Sequence, residues 1–181
     1  FWFPRVLAMV FVALATCLLG WIARLEFGPG LALPTMWLVT PMLLFPGLWQ
    51  FTANTEMFML APLLGTVAVY VVSRHRHGGP GAWFLAGILG ATAVWYKYTA
   101  LPVLVLVFAL WSVEEWRAGR TMGCGPRTLA FGLRTYYRWL FGLLGAIVAS
   151  CSILAPFLAQ DGGKRLWECT VVFNRYYTGL A

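Results

Sequence analysis

Residues 83–111 read WFLAGILGATAVWYKYTALPVLVLVFALW, and Lys97 is the one charged side chain among them. A bilayer core takes about 20 apolar residues of helix, so this run is too long for one ordinary span. Pro102, five residues past Lys97, fits the opening of a new helix better than the interior of an old one. The stretch therefore reads as two membrane helices that meet at Lys97.

Outward from there the same grammar repeats. Val6 to Ile22 is uncharged and long enough for a first helix, ended by Arg24, Glu26 and the breaker Gly28-Pro29-Gly30. A second apolar run goes from Leu31 to about Trp49, with kinks expected at Pro34, Pro41 and Pro46. Polar residues 50–56 precede a third, Met57 to Ser73, with a cap-like Asn54 or Thr55 before Glu56, and the loop Arg74 to Gly81 closes it. After Trp111 come Glu114, Glu115, Arg117 and Arg120, then a basic aromatic stretch, Arg127 to Arg138, that suits an interfacial helix. A last span covers Trp139 to about Leu158.

The fold class is thus all-α: a polytopic bundle of five to six membrane helices plus an interfacial helix. Residues 1–158 form the membrane region, and 159–181 an extracytoplasmic or interfacial tail. Composition agrees, since 61% of the 181 residues are apolar and 10% charged, far from the roughly quarter-charged norm of soluble domains. In a soluble protein the net charge of +7 would suggest nucleic acid. Here the cations sit between apolar runs, so topology accounts for them and nucleic acid is not an expected partner. Phe1 already abuts an apolar run, so the chain is expected to be a piece of something longer.

Alternating the spans puts Arg24, Arg74, Arg76, Arg117, Arg120, Arg127, Arg134 and Arg138 on one side, and Arg5, Lys97, Lys164, Arg165 and Arg175 on the other. The larger set occupies the short loops that the positive-inside rule weighs most, and that side is assigned to the cytoplasm. Residues 50–56, Lys97 and the tail then share the non-cytoplasmic face, where three separated polar elements form a candidate site.

Within it Lys97 stands out, because an ammonium in an apolar region costs about 2.5–3.5 kcal/mol unless it snorkels or meets an anion. Two readings stay open: a lysine reaching the headgroups at a helix end, or one holding a lipid phosphate inside a collar of Tyr96 and Tyr98. Glu56 opens a helix, where the macrodipole favours an acid; capping and contact with a substrate hydroxyl or metal beside Asn54 both fit. In the tail Lys164, Arg165, Arg175 and Tyr176-Tyr177 mix cations and rings, as phosphate or sugar contacts or the membrane interface require. Cys17, Cys124, Cys151 and Cys169 have no metal-ligand spacing, and His75 and His77 share one loop. No metal site or cofactor is indicated by these residues, although a divalent metal at the outer face stays open. Gly87 and Gly90 suit close helix approach.

The order of elements, carried by Phe51 to Met57 before a span and by Trp83 to Ala100, resembles the polytopic GT-C glycosyltransferases that use lipid-linked sugars. The likeness is to the dolichyl-phosphate-mannose protein mannosyltransferase and lipid A aminoarabinose transferase group. It covers about Arg5 to Trp116. It implies an integral membrane protein of the bacterial inner membrane or endoplasmic reticulum type. Its activity would move a sugar from a polyprenyl-phosphate donor to an acceptor on the non-cytoplasmic face. Lys97 would then hold the lipid phosphate with Arg165 or Arg175 as a second cation, and Glu56 would lie in the catalytic cavity. The family's catalytic aspartate belongs to an outer loop after the first span. No Asp precedes Asp161, so that loop is expected upstream. The competing expectations are a noncatalytic subunit of a larger membrane complex and a transporter fragment, for which no inverted repeat is evident.

Overall fold

The structure is a computed structural model that describes residues 2–44, 55–76, 78–121, 128–160 and 162–168. Among them every regular element is helical: α1 (Phe3–Phe27), α2 (Ala32–Leu44), α3 (Thr55–Arg76), α4 (Pro80–Tyr96), α5 (Leu101–Thr121), α6 (Thr128–Ala159) and the single turn α7 (Gly163–Trp167). The expected all-α bundle is the observed one. Four helices are long and apolar enough to cross a membrane, over Arg5–Phe27, Met57–Arg76, Tyr98–Arg117 and Thr135–Ala159. With 17 residues, α4 measures about 25 Å at 1.5 Å per residue. Packed between α3 and α6, it is the central helix of the bundle.

Side-chain pairings give the directions. Phe11 meets Phe58 near one end, and Glu26 meets Arg74 at the other, so α1 and α3 run in parallel. Trp83 lies against Trp139, and Trp95 donates to Ser150, so α4 and α6 are also parallel. α5 runs back antiparallel to both, with Trp111 stacked on Trp83. The C-termini of α1, α3 and α5 and the N-termini of α4 and α6 therefore share one end, called here the arginine end. The opposite end holds Lys97 and, at the close of α6, α7 with Lys164.

Two local rules set the breaks. α1 carries Arg24 and Glu26 inside its last turn and stops at Gly28, whose φ of 101° and ψ of 166° lie in a region open essentially to glycine. Lys97 is extended at φ −159°, ψ 123°; its amide donates to the Ala93 carbonyl (3.0 Å) and its carbonyl accepts from Ala100 (3.1 Å). Pro102 then sits in the first turn of α5, where its missing N–H leaves no gap in the helix. The expected division of residues 83–111 into two helices at Lys97 is what the chain does.

The core is aromatic and small. Trp83, fully buried, stacks on Trp111 at 4.2 Å and is flanked by Phe108 and Trp139. α4 and α6 approach so closely that a Cβ on Gly87 would stand 1.9 Å from the Gly142 carbonyl oxygen, and one on Gly145 2.1 Å from that of Phe84. The lost side-chain volume lets two backbones touch, as small residues do between membrane helices. Gly90 does not share this face: its added Cβ would meet Leu104 of α5 instead.

Four expectations need correction. Arg127 to Arg138 is no separate interfacial helix, because α6 continues unbroken from Thr128 to Ala159. No Gly-Pro breaker interrupts that stretch, and Arg138, 8% exposed, is neutralised by Glu115 of α5 rather than by headgroups. The loop Arg74 to Gly81 is shorter than expected, since Arg74, His75 and Arg76 complete α3 and Pro80 opens α4. α2 is described only to Leu44, with Pro41 alone inside it beyond the first turn; residues 45–49 and Pro46 lie outside the described residues. α1 is longer than Val6 to Ile22 at both ends.

Candidate functional site

The described residues among those expected to form the site belong to the Lys97 end. α3 begins there, so Glu56, its second residue, and the Lys97 break fall at the same end of the bundle. The two are tied through neighbours: Tyr96 stacks on Phe58 with centroids 5.7 Å apart, Phe11 of α1 meets both rings edge-on, and the Thr99 hydroxyl donates weakly to Met59 Sδ at 3.9 Å. Phe58 and Met59 follow Glu56 in the first turn of α3, so the aromatic triad fixes the start of that helix against the turn after Lys97.

Lys97 itself is half-buried, between exposed Tyr96 and Tyr98. It caps the C-terminus of α4, where unpaired carbonyls make a cation favourable. The tyrosines therefore divide the work: Tyr96 is partly occupied in packing, whereas Tyr98, 57% exposed, presents its ring outward. Lys164 on α7 is exposed at this end. The side chains of Glu56 and Arg165, and all of Asn54, Arg175 and Tyr176, lie outside the described residues.

The other end carries a network that sequence reading missed. Arg74 of α3 bridges Glu26 of α1 (3.3 Å) and Glu114 of α5 (3.7 Å), and His75 Nε2 lies 3.4 Å from the second Glu26 oxygen. Tyr70, buried against Trp111, sits beside Glu114. One step along α5, Glu115 pairs with Arg138, and the Trp139 indole N–H donates to Ser112 at 3.1 Å. Four helices are tied at one end through ionic contacts. The signal was present in the sequence, since three of the six acidic residues, Glu26, Glu114 and Glu115, lie where spans end on the arginine side. Weighing only cations for topology left these acids without a role.

Four apolar helices of spanning length, a buried aromatic core and charge gathered toward the ends define a polytopic α-helical integral membrane protein. No family model, curated protein or solved structure matches the chain.

Proposed function

We propose that this chain belongs to a membrane glycosyltransferase that takes a sugar from a polyprenyl-phosphate carrier and delivers it to an acceptor on the non-cytoplasmic face. The reading begins with the resemblance carried by Phe51 to Met57 and Trp83 to Ala100. One observation supports it: the start of α3, with Glu56, and the helix break at Lys97 share one end and are joined by Phe58 and Tyr96. A cation at a break between two membrane helices is suited to a lipid phosphate, whose alkyl chain stays in the bilayer while its charge reaches the ammonium.

In this reading an acceptor hydroxyl attacks the anomeric carbon, its proton passes to a carboxylate, and the bond to the carrier phosphate breaks. Lys97 stabilises the negative charge that grows on the departing phosphate. Glu56, at the start of α3, is the carboxylate this reading assigns to the acceptor side. This reading assigns Arg165 or Arg175 as a second cation, Tyr96 and Tyr98 as a collar around the phosphate, and Asn54 and Tyr176 as substrate-binding residues. The arginine end faces the cytoplasm.

The test is sugar transfer from a polyprenyl-phosphate donor in membranes expressing the full reading frame. Lys97→Ala is expected to abolish most turnover at unchanged expression, with partial recovery in Lys97→Arg. Unchanged turnover in Lys97→Ala would rule out the phosphate role.

A further inference from the structure

The arginine end sorts its charges by depth. Its acids point inward, with side chains only 22% (Glu26), 35% (Glu114) and 15% (Glu115) exposed, and each is held by Arg74, His75 or Arg138. Arg24, Arg76 and Arg117 are exposed instead, and none of their guanidiniums enters an ion pair or hydrogen bond among the described residues. The carboxylates that could have neutralised this surface are already spent inside the bundle.

Position gives those three guanidiniums a common target. They stand near the C-terminal ends of α1, α3 and α5, which converge because Arg74 touches acids from both neighbouring helices. Exposed rings mark the depth: Trp21 lies one turn before Arg24, and Tyr136 and Tyr137 immediately precede Arg138, which is paired with Glu115. Trp and Tyr prefer the level of the headgroups, so the arginines stand at or just beyond it. A ligand there must offer an anion to the guanidinium forks and apolar chains to the surface below.

We propose that this end binds anionic phospholipid headgroups, with Arg24, Arg76 and Arg117 gripping their phosphates around the junction of α1, α3 and α5. The attraction is electrostatic and adds roughly fivefold in preference per arginine near the surface. It does not depend on the transferase reading, because it uses the opposite end of the bundle.

The experiment reconstitutes the protein in vesicles of dibrominated phosphatidylglycerol or dibrominated phosphatidylcholine and reads quenching of tryptophan fluorescence. Phosphatidylglycerol is expected to be preferred by up to about a hundredfold. The preference should fall toward unity in the triple variant Arg24→Gln, Arg76→Gln, Arg117→Gln, shrink at high salt, and stay unchanged in Arg5→Gln at the other end. If the triple variant does not fold, Arg76→Gln alone should lower the preference roughly fivefold. Equal quenching by the two lipids in the parent protein overturns the proposal, as does a preference that survives the arginine substitutions. Inorganic phosphate that removes the preference at constant ionic strength would overturn it too, by revealing a site for a soluble anion.

Discussion

Replacing Gly87 with alanine tests the contact on which the bundle is built. The added Cβ would lie 1.9 Å from the Gly142 carbonyl oxygen, 2.8 Å from its carbon and 3.1 Å from the Ala146 nitrogen, against ordinary contact beginning at 3.4 Å. All three obstructing atoms are backbone, so no rotamer change relieves them, and α4 and α6 must separate by about 1.5 Å. A shift of that size stretches the Trp95 to Ser150 hydrogen bond, now 3.0 Å, beyond useful length. Overpacking of this kind costs about 1–3 kcal/mol, and the hydrogen bond about 0.6 kcal/mol more in a membrane protein. Alanine returns up to about 1 kcal/mol through helix propensity. The net loss is about 0.6–2.6 kcal/mol, equivalent to roughly 1–10 °C in melting temperature for a chain of this length. Thermal unfolding in detergent would compare it with Gly81→Ala, whose Cβ meets nothing within 4 Å, and with Gly90→Ala, which meets only side chains within 4 Å, Leu104 closest. The expected order of stability is Gly81→Ala, then Gly90→Ala, then Gly87→Ala. If Gly87→Ala melts no lower than Gly81→Ala, the helices do not touch as described. Gly145→Ala added to Gly87→Ala should cost less than it does alone, because the helices are already apart.

Other substitutions probe the ends. Arg138→Met should destabilise by about 3–5 kcal/mol by stranding the Glu115 carboxylate, whereas the double variant with Glu115→Leu should recover most of that loss; equal damage in single and double variants, measured by denaturation, would show that the pair is not the cause. Gly28→Ala should cost about 1–3 kcal/mol although nothing lies within 4 Å of its Cβ, because φ of 101° strains any L side chain; an unchanged melting temperature would contradict this. Phe58→Ala should loosen the start of α3 and cost about 3 kcal/mol or more, with Phe58→Tyr nearly neutral. Hydrogen exchange confined to the first turns of α3 would verify the location.

The helical membrane class could be read directly from the chain, because spanning helices need long uncharged runs and charge can be tolerated only where they end. The break at Lys97 was equally legible: a lone cation, two tyrosines and Pro102 are local signals, and local backbone geometry obeys them. The candidate site could be read only as far as topology goes, since parity of spans places Glu56 and Lys97 at one end without saying what joins them. The joining residues, Phe11, Phe58 and Tyr96, come from three helices, and their contacts depend on helix rotation, which a uniformly apolar run leaves unmarked.

The interfacial helix failed for a related reason. A basic aromatic stretch normally seeks headgroups, but Arg138 finds Glu115 23 residues away in sequence, and that partner exists only once α5 and α6 are packed. The same holds for Gly87, whose neighbour three residues on suggested a shared face, while packing sends one glycine to α6 and the other to α5. Sequence by itself determined which segments leave water and where they must stop, because those are costs each residue bears alone. Only the tertiary structure decided which helices touch, which acids meet which arginines and which cations remain outside, because those energies belong to pairs that the chain brings together by folding.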